Sequence, residues 1–200
     1  MKKQKKSTKK RNFFKENYSK CFSYFNEFKN HFLFSLAIFC FFFIVGFAYP
    51  EFFRSEIISF IKELEVLIEG KSALELTNFI FFNNLKASAI AMVLGIAFGI
   101  VPFFVAVSNG YLLGFVSHEA VAAEGLWTMM RLFPHGIFEL PAVLFSIALG
   151  MKLGTSFFNI KTLKKLKYNF KESIRFFIFI IFPLLLVAAI IEGILIASGI

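Results

Sequence analysis

An all-α, polytopic transmembrane helical bundle of about five crossings, with amphipathic interfacial helices beside it, is the fold class this sequence predicts. Three observations predict it. Of the 200 residues, 58% are hydrophobic and the mean hydropathy is +0.70, whereas water-soluble domains are roughly half apolar or less. Apolar runs long enough for a helix to cross about 30 Å of hydrocarbon recur along the chain. Charge is confined largely to the stretches between them, with 22 Lys and Arg against 13 acids for a formal +9. Five spans of about 20 residues use about half of the chain, which leaves one integral unit and little room for a separate catalytic domain. Every acid is Glu, so a Walker-type Asp, an Asp dyad and an Asp-rich metal loop are excluded. Cys21 and Cys40 fit neither a disulfide framework nor a Cys-based zinc site and read as reduced, structural residues. No metal site and no cofactor is expected. The 32 Phe read as lipid-facing and packing bulk.

Residues 1–12 form a basic arm, M-K-K-Q-K-K-S-T-K-K-R-N, whose composition cannot bury a core and is expected to be disordered. Its expected partner is the lipid bilayer, through an anionic cytoplasmic leaflet. Nucleic acid is set aside because no aromatic-basic RNA motif or zinc module accompanies the arm. Over 13–31, Phe14, Tyr18, Cys21, Phe22, Phe25 and Phe28 recur at three- and four-residue steps between charges. That spacing predicts a cytoplasmic amphipathic interfacial helix, or equally a cytoplasmic extension of the first span. The apolar run 32–49, closed by Pro50, is the first crossing. The preceding flank is too long for the charged region of a signal peptide, so the run reads as a retained anchor.

Charge bias orders the rest of the chain. Glu51, Glu56, Glu63, Glu65, Glu69 and Glu75 outnumber the basic residues of the first loop, whereas Lys152 to Arg175 is strongly basic. The first loop therefore belongs outside and the second inside, with the N-terminus cytoplasmic and the C-terminus outside the cell membrane. An outer amphipathic helix over about 55–69 is expected from the stripe Ile57, Ile58, Ile61, Leu64 and Ile68, ended by Gly70. It either covers the bundle or offers a docking face to an extracytoplasmic partner. Ser72 with Glu75 is a capping-box signature for the next helix. Spans are expected over about 87–107, 134–154 and 174–198. Their orientations force one more crossing over about 109–131, which His118, Glu119 and Glu124 make too polar for lipid and which is expected to be shielded, broken or re-entrant.

Small residues recur at every fourth position on three spans: Ala87, Ala91, Gly95 and Gly99; Ala142, Ser146, Gly150 and Gly154; Ala189, Gly193 and Ala197. Such ladders let helix backbones approach closely where lipid supplies no hydrophobic drive. Gly110, Gly114, Gly136 and Pro141 join them as packing positions. Compact packing within the chain is one use of a ladder, and a homodimer is the other.

Ionisable groups within apolar spans are costly and need a reason. His135 and Glu139 lie four apart in P-H-G-I-F-E-L-P-A and share a helix face, and Glu192 flanks Gly193. With Asn83, Asn84 and Asn109 they make a polar intramembrane set. One role is a buried hydrogen-bond lock, with Glu139 bonding backbone amides, Arg131, His135 or Asn109. The other is a proton or cation site beside helix breaks at Pro102, Pro141 and Pro183. Neither H-E-x-x-H nor G-x-S-x-G occurs, so no catalytic residue is assigned and no enzyme is expected.

Asn83-Asn84 before an Ala/Gly-rich span, N-G-Y-L-L-G from Asn109 to Gly114, P-H-G-I-F-E-L-P-A from Pro134 to Ala142, and Ile191-Glu192-Gly193 together resemble the stage II sporulation protein M family. The likeness runs from about residue 30 to the C-terminus. It implies an all-helical membrane protein. In spore-forming bacteria the family's namesake works with a cell-wall lytic enzyme and another membrane partner during forespore engulfment, assembling or localising a complex without being the hydrolase. The resemblance implies shared positions at Asn83, Asn84, Asn109, Gly110, His135, Gly136, Glu139, Pro141 and Glu192, with no catalytic role implied. The function expected is a non-enzymatic membrane scaffold or assembly component with a membrane or extracytoplasmic protein partner. The alternative is a transporter or channel for an ion or small solute that uses Glu139, His135 and Glu192.

Overall fold

A computed structural model describes residues 12–156 and 162–197, with the side chains at 130–135, 162 and 197 outside that description. Residues 1–11 of the basic arm therefore lie outside the described residues, as do the side chains of Arg131, His135 and Ala197. The described residues are helices and tight turns, with no strand among them. Helix α1 runs from Phe13 to Ala48 and leads through a short 3-10 turn at Pro50–Phe53 into α2, Arg54–Ile68. Then come α3 (Ala73–Leu94), α4 (Ile100–Glu124), α5 (Met129–Thr155), α6 (Thr162–Phe176) and α7 (Phe182–Ala197). Among the described residues, four stretches are long and apolar enough to cross a membrane: 13–48, 100–124, 136–155 and 163–196. Helix α3, which carries Glu75, Asn78, Asn83, Asn84 and Lys86, is not among them, yet it packs along α5 and α7 inside the bundle.

Helix α1 is unbroken for 36 residues, about 54 Å at the α-helical rise, so one end must project beyond the hydrocarbon. The interfacial segment 13–31 is thus continuous with the first span. It stays ordered because α6 packs against it: Arg175 Nε donates to Asn17 Oδ1 at 3.0 Å and Tyr168 donates to Glu27 at 2.8 Å. Arg175 also pairs with Glu172 on its own helix.

The expected span 87–107 needs correcting. Its chain breaks at 95–99, between α3 and α4, and the expected broken or polar crossing 109–131 is instead the continuous helix α4 up to Glu124, followed by a turn at Gly125. Gly95 and Gly99 lie four apart, which reads as one more rung of a helical ladder, because glycine is common in membrane helices. Here they bracket a tight turn. Gly99 takes φ +74° and Phe98 takes φ 58°, a conformation that costs a side chain strain and glycine almost none. The turn satisfies its own amides, with Phe98 donating to Ile96 at 2.8 Å and Gly99 to Gly95 at 2.8 Å. That is what irregular backbone within an apolar bundle requires. Pro102 falls in the first turn of α4, where its missing N–H leaves no intrahelical bond unmade. Farther on, α6 passes into α7 through a π-helical segment at Phe177–Ile181. The wider turn lies just ahead of Pro183, whose ring would clash with the carbonyl four residues back in a regular helix.

The registers fix relative directions. Helices α1 and α4 run parallel, since Phe39 meets Gly110, Phe43 meets Gly114 and Phe47 bonds His118. Ala91 meets Gly150 and Gly95 meets Gly154, so α3 and α5 are parallel to each other. Pro102 against Gly150, together with Ala106 beside Ile147, makes α4 antiparallel to α5. The main core joins Cys21, Tyr24 and Phe28 of α1 to Phe81 of α3, Leu149 of α5 and Leu185 of α7. Phe145 sits among Phe25, Phe28, Phe32 and Phe176, with ring centroids from 4.9 to 6.5 Å apart. Most of these pairs are edge-to-face, the orientation that sets positive ring edges on negative faces. Cys21 is buried and Cys40 exposed, and both are free thiols.

Candidate functional site

Glycine seams hold the bundle together. A Cβ on Gly95 would collide with the backbone of Gly150, and one on Gly154 with the backbone of Gly95 and Gly99. The first two ladders therefore face each other, with Ala91, Gly95, Ala142, Ser146, Gly150 and Gly154 all buried; Ala87 is exposed and Gly99 half-buried. Gly193 of the third ladder packs on Thr77 of α3, next to buried Ala189. The Gly pair of N-G-Y-L-L-G has the same purpose: Gly110 lies against the Phe39 carbonyl and Gly114 against the Phe43 carbonyl. Gly136 differs, because among the described residues a Cβ there would meet the Leu140 side chain alone, at 3.7 Å, an ordinary contact. Its helix segment makes no close crossing that demands glycine. Pro141 is half-buried inside α5.

The polar set is only partly brought together. Glu139 on α5 and Glu192 on α7 are both half-buried and within electrostatic reach of each other. Asn109 is exposed and donates to the Val105 carbonyl of its own helix at 2.8 Å; Asn83 is exposed and Asn84 half-buried. Asn109 thus spends its amide locally instead of reaching Glu139. His135 lies on the same helix as Glu139, and its side chain is outside the described residues.

Sequence reasoning missed the bonds that settle the polar end of α4. Arg54 forms a two-pronged pair with Glu119, at 3.0 and 2.7 Å, and lies 5.9 Å over the Phe115 ring. His118 bonds the Phe47 carbonyl at 2.8 Å, Tyr111 donates to the Tyr49 carbonyl at 2.7 Å, and Thr128 donates to Glu124 at 2.6 Å. Polar side chains collect where α1 turns into α2, so α4 needs no break. A second missed group is buried between α1, α5 and α6. Tyr24 hydroxyl lies 3.2 Å from both the Asn169 carbonyl and Ser173 Oγ, Asn169 donates to Ser156 at 2.7 Å, and Ser156 donates to the Lys152 carbonyl at 2.8 Å. Tyr24, Ser156, Asn169 and Ser173 are each at most 2% exposed. Each polar group found a partner, as burial demands. The only sequence signal was polar residues at helical spacing on the apolar face of α6.

On the first loop, the capping box is formed: Ser72 N donates to Glu75 at 2.9 Å and Glu75 N to Ser72 Oγ at 3.4 Å. The hydroxyl and amide of Ser72 hold the Glu75 carboxyl below its ordinary range, and the Ser55 hydroxyl does the same for Glu56. Among the described residues no cluster of His, Cys and Glu has a metal-binding arrangement.

No solved structure matches this chain. An uncharacterized protein of Methanocaldococcus jannaschii is 34% identical over 120 residues, covering 57% of this chain and 52% of that protein. The match thus spans about half the length of that relative. Apolar helices, paired glycine seams and the two carboxyls of α5 and α7 occupy the residues that suggested a family, and the family comparison covers all of them. Residues 33–195 match stage II sporulation protein M, and the chain belongs to that family of membrane proteins.

Proposed function

We propose that this chain is a non-enzymatic scaffold, a membrane-embedded assembly component that holds a protein partner at the bilayer. The observation that supports this best is the contrast between spent and unspent surface. Inside the bundle, the glycine positions of all three ladders are used against neighbouring helices of the same chain, which favours internal packing over a homodimer. Outside it, α2 has no fully buried residue, and Phe60, Val66 and Leu67 are exposed. An acidic helix with apolar side chains to spare is a suitable docking face for a membrane or extracytoplasmic protein. We place the N-terminus in the cytoplasm and the C-terminus outside the cell membrane, on the basic bias of α6 against the acidic first loop. Purification from native membranes tests the reading. A specific partner should accompany the chain and be lost with Phe60→Glu and Leu67→Glu; recovery without any partner would count against a scaffold.

Transport of an ion or small solute is the second reading, favoured by the Glu139 and Glu192 pair. A hydrated path reaching Glu139 would support it. The groove beside the α3–α4 turn is lined by Met151 and Thr155 of α5, at least about 18 Å along the helix from Glu139 at the α-helical rise. That separation supports a structural role for Glu139.

A further inference from the structure

Helix α3 has two unlike faces. Ile80, Ser88, Ala91 and Met92 are buried, on the side where α3 packs along α5 and α7. On the open side Asn78, Phe82, Lys86, Ile90 and Val93 recur at three- and four-residue steps, with Asn83 beside them, and all are exposed. We propose that this stripe is a docking face for a transmembrane helix of a different protein, one that presents a carboxylate to Lys86 near mid-bilayer. The inference rests on the scaffold reading and gives it a second surface.

The helix registers set the depth of Lys86. Gly150 of α5 lies between Ala91 and Gly95 of α3, and Gly154 lies between Gly95 and Gly99, so Lys86 stands about level with Val143. The middle of the apolar stretch 136–155 is about 4 Å away along the helix. Phe39 against Gly110, and Ala106 beside Ile147, bring the middle of the first span, 32–49, to the same level. From there each headgroup region is about 15 Å off, farther than a lysine stem can carry its ammonium by snorkelling. The stripe is also unsatisfied. Asn17, Asn26 and Asn109 each donate to the carbonyl four residues back, at 2.9, 3.3 and 2.8 Å. Asn78, Asn83 and Lys86 make no hydrogen bond or ion pair with any described residue.

Charge selects the occupant. Lipid tails supply no counter-charge and no hydrogen-bond acceptor, which makes an exposed ammonium at this depth costly. A second copy inserted the same way would meet this face at equal depth about a two-fold axis, and would set Lys86 against Lys86. A foreign helix with a carboxylate at that depth neutralises the ammonium. Asn78 and Asn83 offer it interhelical hydrogen bonds, and Phe82, Ile90 and Val93 supply apolar contact on either side.

The probe is a synthetic Leu/Ala transmembrane peptide carrying Glu, Gln or Leu at its central position. Its association with the full chain in lipid vesicles is read by energy transfer between fluorophores on the two. The Glu peptide should associate about tenfold more tightly than the Leu peptide, with the Gln peptide between them. Lys86→Leu should abolish that preference and Lys86→Arg should keep it. Ile90→Trp, on the stripe, should weaken association, whereas Ile44→Trp, on an exposed face of α1, should not. Equal association of the Glu and Leu peptides would overturn the proposal, as would a preference that survives Lys86→Leu. So would displacement of the Glu peptide by excess unlabelled chain, which would assign the face to a second copy. If Lys86→Leu does not fold, equal effects of Ile90→Trp and Ile44→Trp would still sink it. Native membranes that yield no partner, while Lys86 still selects the Glu peptide, would remove the scaffold reading alone. A native partner together with a peptide indifferent to Lys86 would remove this inference alone.

Discussion

The seam joining α3, α4 and α5 and the outer helix α2 both begin as patterned apolar sequence, and they end in opposite situations. At the seam, Gly95, Gly150 and Gly154 bring backbones so close that no side chain fits between them. Along α2, Ile57, Ile58, Ile61, Leu64 and Ile68 are half-buried, and no residue is fully enclosed. Apolar patterning tells which face turns inward. The size of the residues on that face tells how close the neighbour comes. Small residues commit a helix to one partner geometry, because dispersion attraction falls steeply with distance. Large residues at the edge of a loop leave it free to take another partner.

Substitutions at the two regions should therefore differ most. Gly95→Leu or Gly150→Leu must displace backbone, and overpacking of even a yielding core costs about 1–3 kcal/mol. Folded, monodisperse protein should be lost on size exclusion in detergent. Val66→Glu in α2 should leave the same profile unchanged, and a collapse there would erase the contrast. Next comes Asn169→Leu, which removes the donor to the buried Ser156 hydroxyl and leaves the Tyr24 bond to the backbone carbonyl of residue 169 in place. Thermal denaturation should register about 1–3 kcal/mol. Arg54→Met breaks a pair whose members are 41% and 36% exposed, so after solvent screening it should cost about 1 kcal/mol or less, with the loss shrinking in high salt. The smallest effect belongs to Ser72→Ala. Because Ser72 holds the Glu75 carboxyl below its unfolded range, the capping contribution is present at neutral pH and fades as pH falls through the folded value. Amide exchange in the first turn of α3 should be faster in Ser72→Ala at pH 7, with the difference shrinking as acid protonates Glu75. A difference that persists in acid would mean the cap does not depend on the carboxylate.

Much of this fold is legible in the sequence because membrane helices obey few rules. Apolar length marked α1, α5 and α7, the orientations of the spans forced the crossing that α4 makes, and the four-residue spacing of small residues marked the faces along which α3, α5 and α7 meet. The turn at 95–99 was hidden because Gly95 and Gly99 satisfy a helix ladder and a tight turn equally well; only φ at Phe98 and Gly99 distinguishes them. The Arg54–Glu119 pair was hidden for another reason. Its members are 65 residues apart, and spacing along one helix cannot show a bond between two. Of the polar set, Glu139 and Glu192 lie within electrostatic reach of each other while Asn109 bonds its own helix. A motif position reports that a residue is fixed, and the fold alone reports what it faces.

If the chain is a scaffold, its intramembrane carboxyl pair belongs to the packed frame and not to a solute pathway. Flux through vesicles reconstituted with the full chain tests this most directly, using wild type and Glu139→Gln with protons, common cations and small solutes. No flux above that of empty vesicles is expected for either protein. Flux by the wild type that Glu139→Gln abolishes, in a variant that still folds, would contradict the scaffold reading.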